Sequence, residues 1–119
     1  MALTKMIAKT SLSLANKDKI YISGSITNDK DYRIKFKAAH FYLLNRYNCI
    51  VINPLHLSTK VENAIPFPQW HHYMRECIHW LPRCDKVYML KGWWKSRGAR
   101  VEWLLAKFLR LDIIYQRGK

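Results

Sequence analysis

Acidic residues are scarce in this chain. Of its 119 residues only 8 are Asp or Glu, against 21 Lys or Arg, so the formal charge is +13. A surplus of that size creates a positive field that draws anions such as nucleotides, nucleic acid or acidic lipid, and its sign alone does not choose among them. Cysteines are few and odd in number: Cys49, Cys77 and Cys84 stand in no CxxC or CxxxC spacing. That argues against a disulfide framework and a zinc site and fits a reducing, cytoplasmic home. No apolar run approaches the roughly 20 residues that a membrane-spanning helix needs, because charged or polar residues interrupt every candidate. A soluble protein with no membrane partner is expected. Neither GxGxxG nor the lysine and spacing of a Walker motif occurs. There is no internal repeat and no low-complexity tract.

What is present is a large apolar fraction. Half of the residues are apolar, with 5 Trp, 7 Tyr and 4 Phe, enough for one substantial core in a chain the length of one ordinary domain. Residues 1–18, MALTKMIAKTSLSLANKD, carry Lys5, Lys9 and Lys17 with no acid before Asp18. They read as a basic N-terminal arm, frayed or docked on a neighbouring subunit, ahead of a domain over 19–119. A transit-like peptide is the minor alternative for that composition.

Along the domain, apolar periodicity switches between two residues and 3.6. Residues 19–23 (KIYIS) alternate and run straight into Gly24-Ser25, as in a buried strand that ends in a tight turn. Tyr32–Arg46 reads as an amphipathic helix capped by Asp29 or Asp31, with Ile34, Ala38, Phe41 and Leu44 or Asn45 as its apolar face. Cys49–Ile52 is a continuous apolar strand stopped by Asn53-Pro54. Pro66 and Pro68 mark 55–68 as a long irregular loop. Residues 69–81 are helical up to Pro82, 85–90 form a third strand, 96–110 a third helix and 112–115 a fourth strand. Alternating strands and helices imply an α/β fold with a short parallel sheet of four to five strands and right-handed crossovers.

Ligands of open parallel sheets bind beyond the carboxyl ends of the strands. Those ends are Gly24-Ser25-Ile26, Asn53-Pro54-Leu55-His56 and residues 92–98, which should converge on one cleft. Gly24 offers close backbone approach and Ser25 a hydroxyl, which suits phosphate or carboxylate, although a turn that needs Gly and Ser only for geometry reads the same way. In 96–102 (SRGARVE), Ser96 can cap a helix and Gly98 opens its first turn. Ala99, Glu102 and Ala106 share one face of that helix, while Val101, Leu104, Leu105 and Phe108 form its apolar stripe. Small neighbours leave room for a ligand to touch Glu102; a solvated glutamate paired with a neighbouring arginine is the bland alternative. A carboxylate beside an anomeric carbon can stabilise or capture the oxocarbenium-like state of N-glycosidic cleavage. Tyr21, one strand away, can orient it, and is equally ordinary as a core residue. His56 at the end of the second strand is in position to reach substrate. His71 and His72 point about 100° apart on a helix, so they make no metal pair, and no metal or cofactor is called for. Trp93 and Trp94 among Lys91, Lys95, Arg97 and Arg100 can stack on bases while the cations meet phosphates, or cover a sheet edge or an interface between subunits.

In order along the chain, KIYISGSI, VINP, YMRECIHWL, CDKVYML and GWWKSRGARVEWLLAKFLRLDIIY together resemble the nucleoside 2-deoxyribosyltransferase-like superfamily, and most closely its small phage and bacterial branch. The resemblance spans residues 19–115. It implies a doubly wound, flavodoxin-like three-layer sandwich that assembles into dimers or larger oligomers with composite active sites. It also implies that Glu102 is the nucleophile that attacks C1′ of a 2-deoxyribose and that Tyr21 positions it. As in relatives that hydrolyse deoxynucleoside 5′-monophosphates, Ser25, in the GSI turn with Ile26, and Ser96 would hold the phosphate, with Gly24 and Gly98 giving access. Asp85 matches an aspartate common at the start of the third strand, with either a sugar-site or a purely structural role. Relatives usually carry another aspartate eight residues earlier, where this chain has Cys77 with Glu76 beside it. A thiol lacks a carboxylate's charge and its two acceptor oxygens, so either Glu76 substitutes after a small helix shift or catalysis is altered or lost.

These residues lead to an expected N-glycosidase or deoxyribosyltransferase acting on a 2-deoxynucleoside or its 5′-monophosphate, with Asn53 and His56 beside the substrate. The alternatives are a non-catalytic binder of a nucleotide-derived ligand, and a basic protein that binds nucleic acid through its surface.

Overall fold

The computed structural model describes residues 17–26 and 29–117. The expected N-terminal arm lies outside the described residues, apart from Lys17 and Asp18. Asp18 already belongs to the first strand, β1 (Asp18–Ser23). The remaining elements are α1 (Tyr32–Arg46), β2 (Cys49–Ile52), α2 (Pro54–Ala64), α3 (Trp70–Trp80), β3 (Lys86–Met89), α4 (Arg97–Phe108) and β4 (Asp112–Tyr115). The strands form one parallel sheet in the order β2-β1-β3-β4. This is an α/β fold of the flavodoxin-like, doubly wound kind. From β1 the chain builds outward to β2, then crosses back to β3 on the other side, so the order reverses between β1 and β3. A crevice opens at such a reversal, at the carboxyl ends of the strands.

Side-chain parity on β1 assigns the two halves of the core. Ile20 and Ile22 face α1, where they meet Phe36, Ala39 and Leu43. Tyr21 faces the opposite layer with Leu57, Leu81, Val87, Met89, Ala99 and Ala106, where α2, α3 and α4 pack. Two of the helices turn a different face inward from the one periodicity suggested. In α1 the buried residues are Phe36, Ala39 and Leu43, whereas Ile34 and Phe41 are 70% and 65% exposed. Apolar residues surround this helix, so two opposite stripes both satisfy helical spacing. The stripe of Phe36, Ala39 and Leu43 is the one seated on the sheet. In α4 the buried set is Ala99, Glu102 and Ala106, and Leu104 and Phe108 are left exposed.

The segment 55–68, expected as a loop, is mostly helix. Asn53 ends β2 and caps α2, its side-chain oxygen accepting the Leu55 N–H at 3.0 Å, and Pro54 takes the first helical position, where its missing N–H costs nothing. Leu57 and Val61 bury themselves at i and i+4. The helix ends at Ala64, before the extended Ile65 that Pro66 requires. The same Asn-Pro pair that reads as a strand stop is also a helix start. Other boundaries fall within one or two residues of expectation, with Ser96 capping α4 through the Ala99 N–H at 3.2 Å. Gly24 is buried, and a Cβ there would stand 2.8 Å from the Leu90 side chain. Its smallness is therefore used first to let the ends of β1 and β3 close on each other.

Asn53 is buried and its amide nitrogen also lies 3.2 Å from His40 Nδ1. Replacing Asn53→Ala removes both the cap and this contact, and should lower stability by about 1–2 kcal/mol. Urea denaturation should show an earlier midpoint with an unchanged slope.

Candidate functional site

Tyr21 and Ser23 lie two residues apart on β1, so both leave the sheet on the same side. That side faces α4, whose inward surface is Ala99, Glu102 and Ala106. The two alanines let the helix backbone come near the strand, and Glu102 is thereby set between the two hydroxyls. The Tyr21 hydroxyl donates to one carboxylate oxygen and Ser23 Oγ donates to the other at 2.8 Å. Tyr21 and Ser23 are wholly buried and Glu102 is 5% exposed. The glutamate is thus neither solvated nor paired with an arginine among the described residues.

Burial sets the ionisation of this group. Loss of water raises the Glu102 carboxyl to about 7, while the hydrogen bonds from Tyr21 and Ser23 pull in the opposite direction by favouring the anion. The Tyr21 phenol is raised well above its usual range, first by burial and then by the charge of Glu102. Cys77 stands beside Tyr21, and burial, followed by the Glu102 charge, pushes its thiol up to about 12. At neutral pH the phenol and thiol therefore keep their protons. The carboxyl stands at the point of ionisation.

Tyr21, Cys77 and Glu102 line a cleft of about 610 Å³ at the carboxyl ends of the strands. The loops expected to converge do so: Gly24, Ser25 and Ile26 after β1, Pro54 and Leu55 after β2, and Ser96, Arg97 and Gly98 before α4 all line it. One wall is aromatic, with Tyr32, Trp70 and Tyr73, and another is polar, with Ser58, Thr59 and Glu62. Arg33 and Arg97 supply positive charge, and the Arg97 guanidinium lies 4.0 Å from the centre of the Trp70 ring. Gly98 keeps the start of α4 close to α3: a Cβ there would meet Met74 Sδ at 3.1 Å.

Four of the expected site residues are placed elsewhere. Asn53 is occupied as the α2 cap, and the His56 ring packs edge-on against His40 with centroids 6.0 Å apart. Neither lines the cleft. Glu76 turns toward α2, where Lys60 Nζ stands 2.7 Å and Trp80 Nε1 3.0 Å from its carboxylate, and it does not line the cleft. Cys77, one residue on and about 100° around the helix, is the side chain that reaches the site. Asp85 sits at the opposite end of the sheet and accepts the Lys19 N–H at 2.9 Å, a strand-joining contact. Conversely, sequence reasoning missed Ser23, although it shares a strand face with Tyr21. It also missed Ser58, Thr59 and Glu62, hidden by the loop assignment of α2, and the aromatic wall.

A family model described as "Domain of unknown function (DUF4406)" matches residues 18–115. No curated protein matches the chain.

The raised carboxyl has a consequence for stability. The ordinary value is 4.5 and the folded value about 7, so the folded protein holds the proton more tightly than the unfolded chain. The associated stability is complete below the ordinary value and is lost as pH rises through the folded one. Glu102→Gln should therefore stabilise by less than about 1 kcal/mol at pH 5 and by up to about 3 kcal/mol at pH 8, as read by thermal melts at the two pH values.

Proposed function

From its match over nearly the whole described fold, the chain belongs to the DUF4406 family, a domain of unknown function, and we propose that it cleaves or transfers the N-glycosidic bond of a 2-deoxynucleoside 5′-monophosphate with Glu102 as nucleophile. The observation that carries this reading is the buried carboxylate held from both sides by Tyr21 and Ser23 at the wall of a cleft. A structural glutamate has no need of a cavity beside it, and a solvated one has no need of two buried hydroxyls. The ordered motifs that resemble the nucleoside 2-deoxyribosyltransferase-like superfamily point the same way, and the three free thiols suit a reducing, cytoplasmic setting.

In this reading the ionised Glu102 attacks C1′ as the C1′–N bond breaks, and the electron pair leaves with the base, which takes a proton from water. The new C–O bond is an ester of the sugar. Water then cleaves it to release 2-deoxyribose 5-phosphate and restore the carboxylate, while a second base in place of water completes a transfer. Tyr21 and Ser23 hold the carboxylate oriented, and their bonds favour the anion that attack requires. In this reading Ser25, Ser96 and the Arg97 and Gly98 amides at the start of α4 meet phosphate oxygens, with the Arg97 side chain adding charge; all of these residues line the cleft. The Trp70 and Tyr73 rings offer faces for a base.

A second reading rests on Cys77. A neutral thiol against Tyr21, where relatives have an aspartate, leaves the sugar and the departing base without that carboxylate. Such a cleft can capture a nucleotide-derived ligand without turning it over.

Incubating the protein with a panel of nucleosides and 5′-monophosphates, reading both retained ligand and liberated base, separates the two readings. The catalytic reading expects base release that Glu102→Ala reduces to background. The binding reading expects stoichiometric retention with no free base, and turnover gained by Cys77→Asp. Neither retention nor release of any member would overturn both. Arg97→Ala should raise KM for monophosphates roughly tenfold or more, the worth of one charged hydrogen bond, and leave that for nucleosides unchanged.

Activity should also report the carboxyl directly. Because attack needs the anion, kcat/KM should fall as pH drops through about 7. Tyr21→Phe removes one of the bonds that lower this value, so the acid limb should move to higher pH. A profile flat from pH 5 to pH 9 would exclude Glu102 as the nucleophile.

A further inference from the structure

Outside the cleft, four aromatic residues from three elements gather at the β4 edge of the sheet. The Trp93 and Trp103 rings stack at 5.3 Å with 24° between their planes, and Tyr115 continues the row 6.4 Å from Trp93. The Trp103 indole N–H donates to the Tyr115 hydroxyl at 2.9 Å, which fixes both rings. Trp94 stands edge-on to Trp93 and is 54% exposed. The ends of β3 and β4 are tied together by the Lys91 N–H, which donates to the Gln116 side chain at 2.8 Å. That tie brings the turn carrying Trp93 and Trp94 against Tyr115.

The charge around this ledge has one sign. Lys91, Lys95, Arg100 and Lys107 are all exposed, and the ion pairs among the described residues include none of them. Lys107 Nζ lies 5.1 Å over the Trp103 ring. Residues 91–117 hold seven Lys or Arg and two acids, one of which is the buried Glu102. A second copy of the chain docked symmetrically here would set these cations against their own counterparts, at a cost in like-charge repulsion. An anionic partner with flat faces meets no such cost.

The geometry points to a binding surface for single-stranded nucleic acid across this ledge, with bases stacked on Trp94 and phosphates met by Lys91, Lys95, Arg100 and Lys107. Unpaired bases present π-faces that a duplex conceals, and stacking on an exposed indole tolerates any sequence. Trp93, Trp103 and Tyr115 form the backing of the ledge, held by the Trp103–Tyr115 hydrogen bond, and leave the half-exposed Trp94 indole as the ring open to a base. This surface is independent of the chemistry of the cleft.

The test is fluorescence anisotropy with a labelled oligothymidylate of about 15 nucleotides, titrated with the full chain at several salt concentrations. Four phosphate contacts predict a slope of log affinity on log salt of about −3. Lys91→Ala with Lys95→Ala should make that slope shallower by about 1.4. Trp94→Ala should weaken binding about tenfold with the slope unchanged, and Trp94→Phe should restore most of the loss. All these side chains are solvent-facing, and circular dichroism checks that each variant is folded. Equal affinity for duplex and single strand together with an inert Trp94→Ala would overturn the proposal. So would retention by phosphatidylserine vesicles without oligonucleotide binding, or self-association that Trp94→Ala abolishes while the oligonucleotide does not bind.

Discussion

The structure turns on a carboxyl group that has been taken out of water. Glu102 stays buried because two hydroxyls on β1 satisfy its oxygens and because nothing larger than alanine stands beside it on the inner face of α4. A bulkier residue at Ala99 or Ala106 would lift the helix from the sheet and break both hydrogen bonds. The alternation of β1, the small face of α4 and the reversal of strand order between β1 and β3 all bear on the same point. They bring one ionisable group to the wall of the crevice and raise its proton affinity into the physiological range.

The remainder of the cleft is made by elements with other work to do. Ser96 caps α4 and lines the cavity, and Gly98 packs against Met74 while leaving the wall open. Gly24 admits the Leu90 side chain. Arg97 stacks on Trp70 and contributes charge to the same opening. Functional and structural demands coincide on these residues, so either reading of their sequence pattern taken alone is incomplete. Cys77 is different: its thiol lies against Tyr21 and packs there adequately, but it brings no charge to the site.

Where sequence reasoning failed, it failed at choices between equally periodic alternatives. The stripe of Ile34, Ala38 and Phe41 and that of Phe36, Ala39 and Leu43 are both helical, and hydrophobicity does not decide between them. Asn53-Pro54 fits the end of a strand and the start of a helix, and here it is both. Glu76 and Cys77 are neighbours in sequence but about 100° apart on α3, which sends one to Lys60 and the other to Tyr21. Ser23 was legible by strand parity once Tyr21 was placed, and was overlooked because a serine before Gly24-Ser25 looks like part of the turn.

The sequence by itself determined the alternation of strands and helices, the parallel sheet, the three loops at its carboxyl edge and the nomination of Glu102 with Tyr21, because these follow from local periodicity and from motifs contiguous in the chain. Only the tertiary structure decided which helix faces turn inward, that Ser23 completes the grip on Glu102, and that His56, Glu76 and Asp85 stand apart from the cleft. Those outcomes depend on the phase at which each helix meets the sheet. That phase is fixed by packing between residues far apart in the chain, such as Tyr21 and Glu102, and not by any pattern within one element.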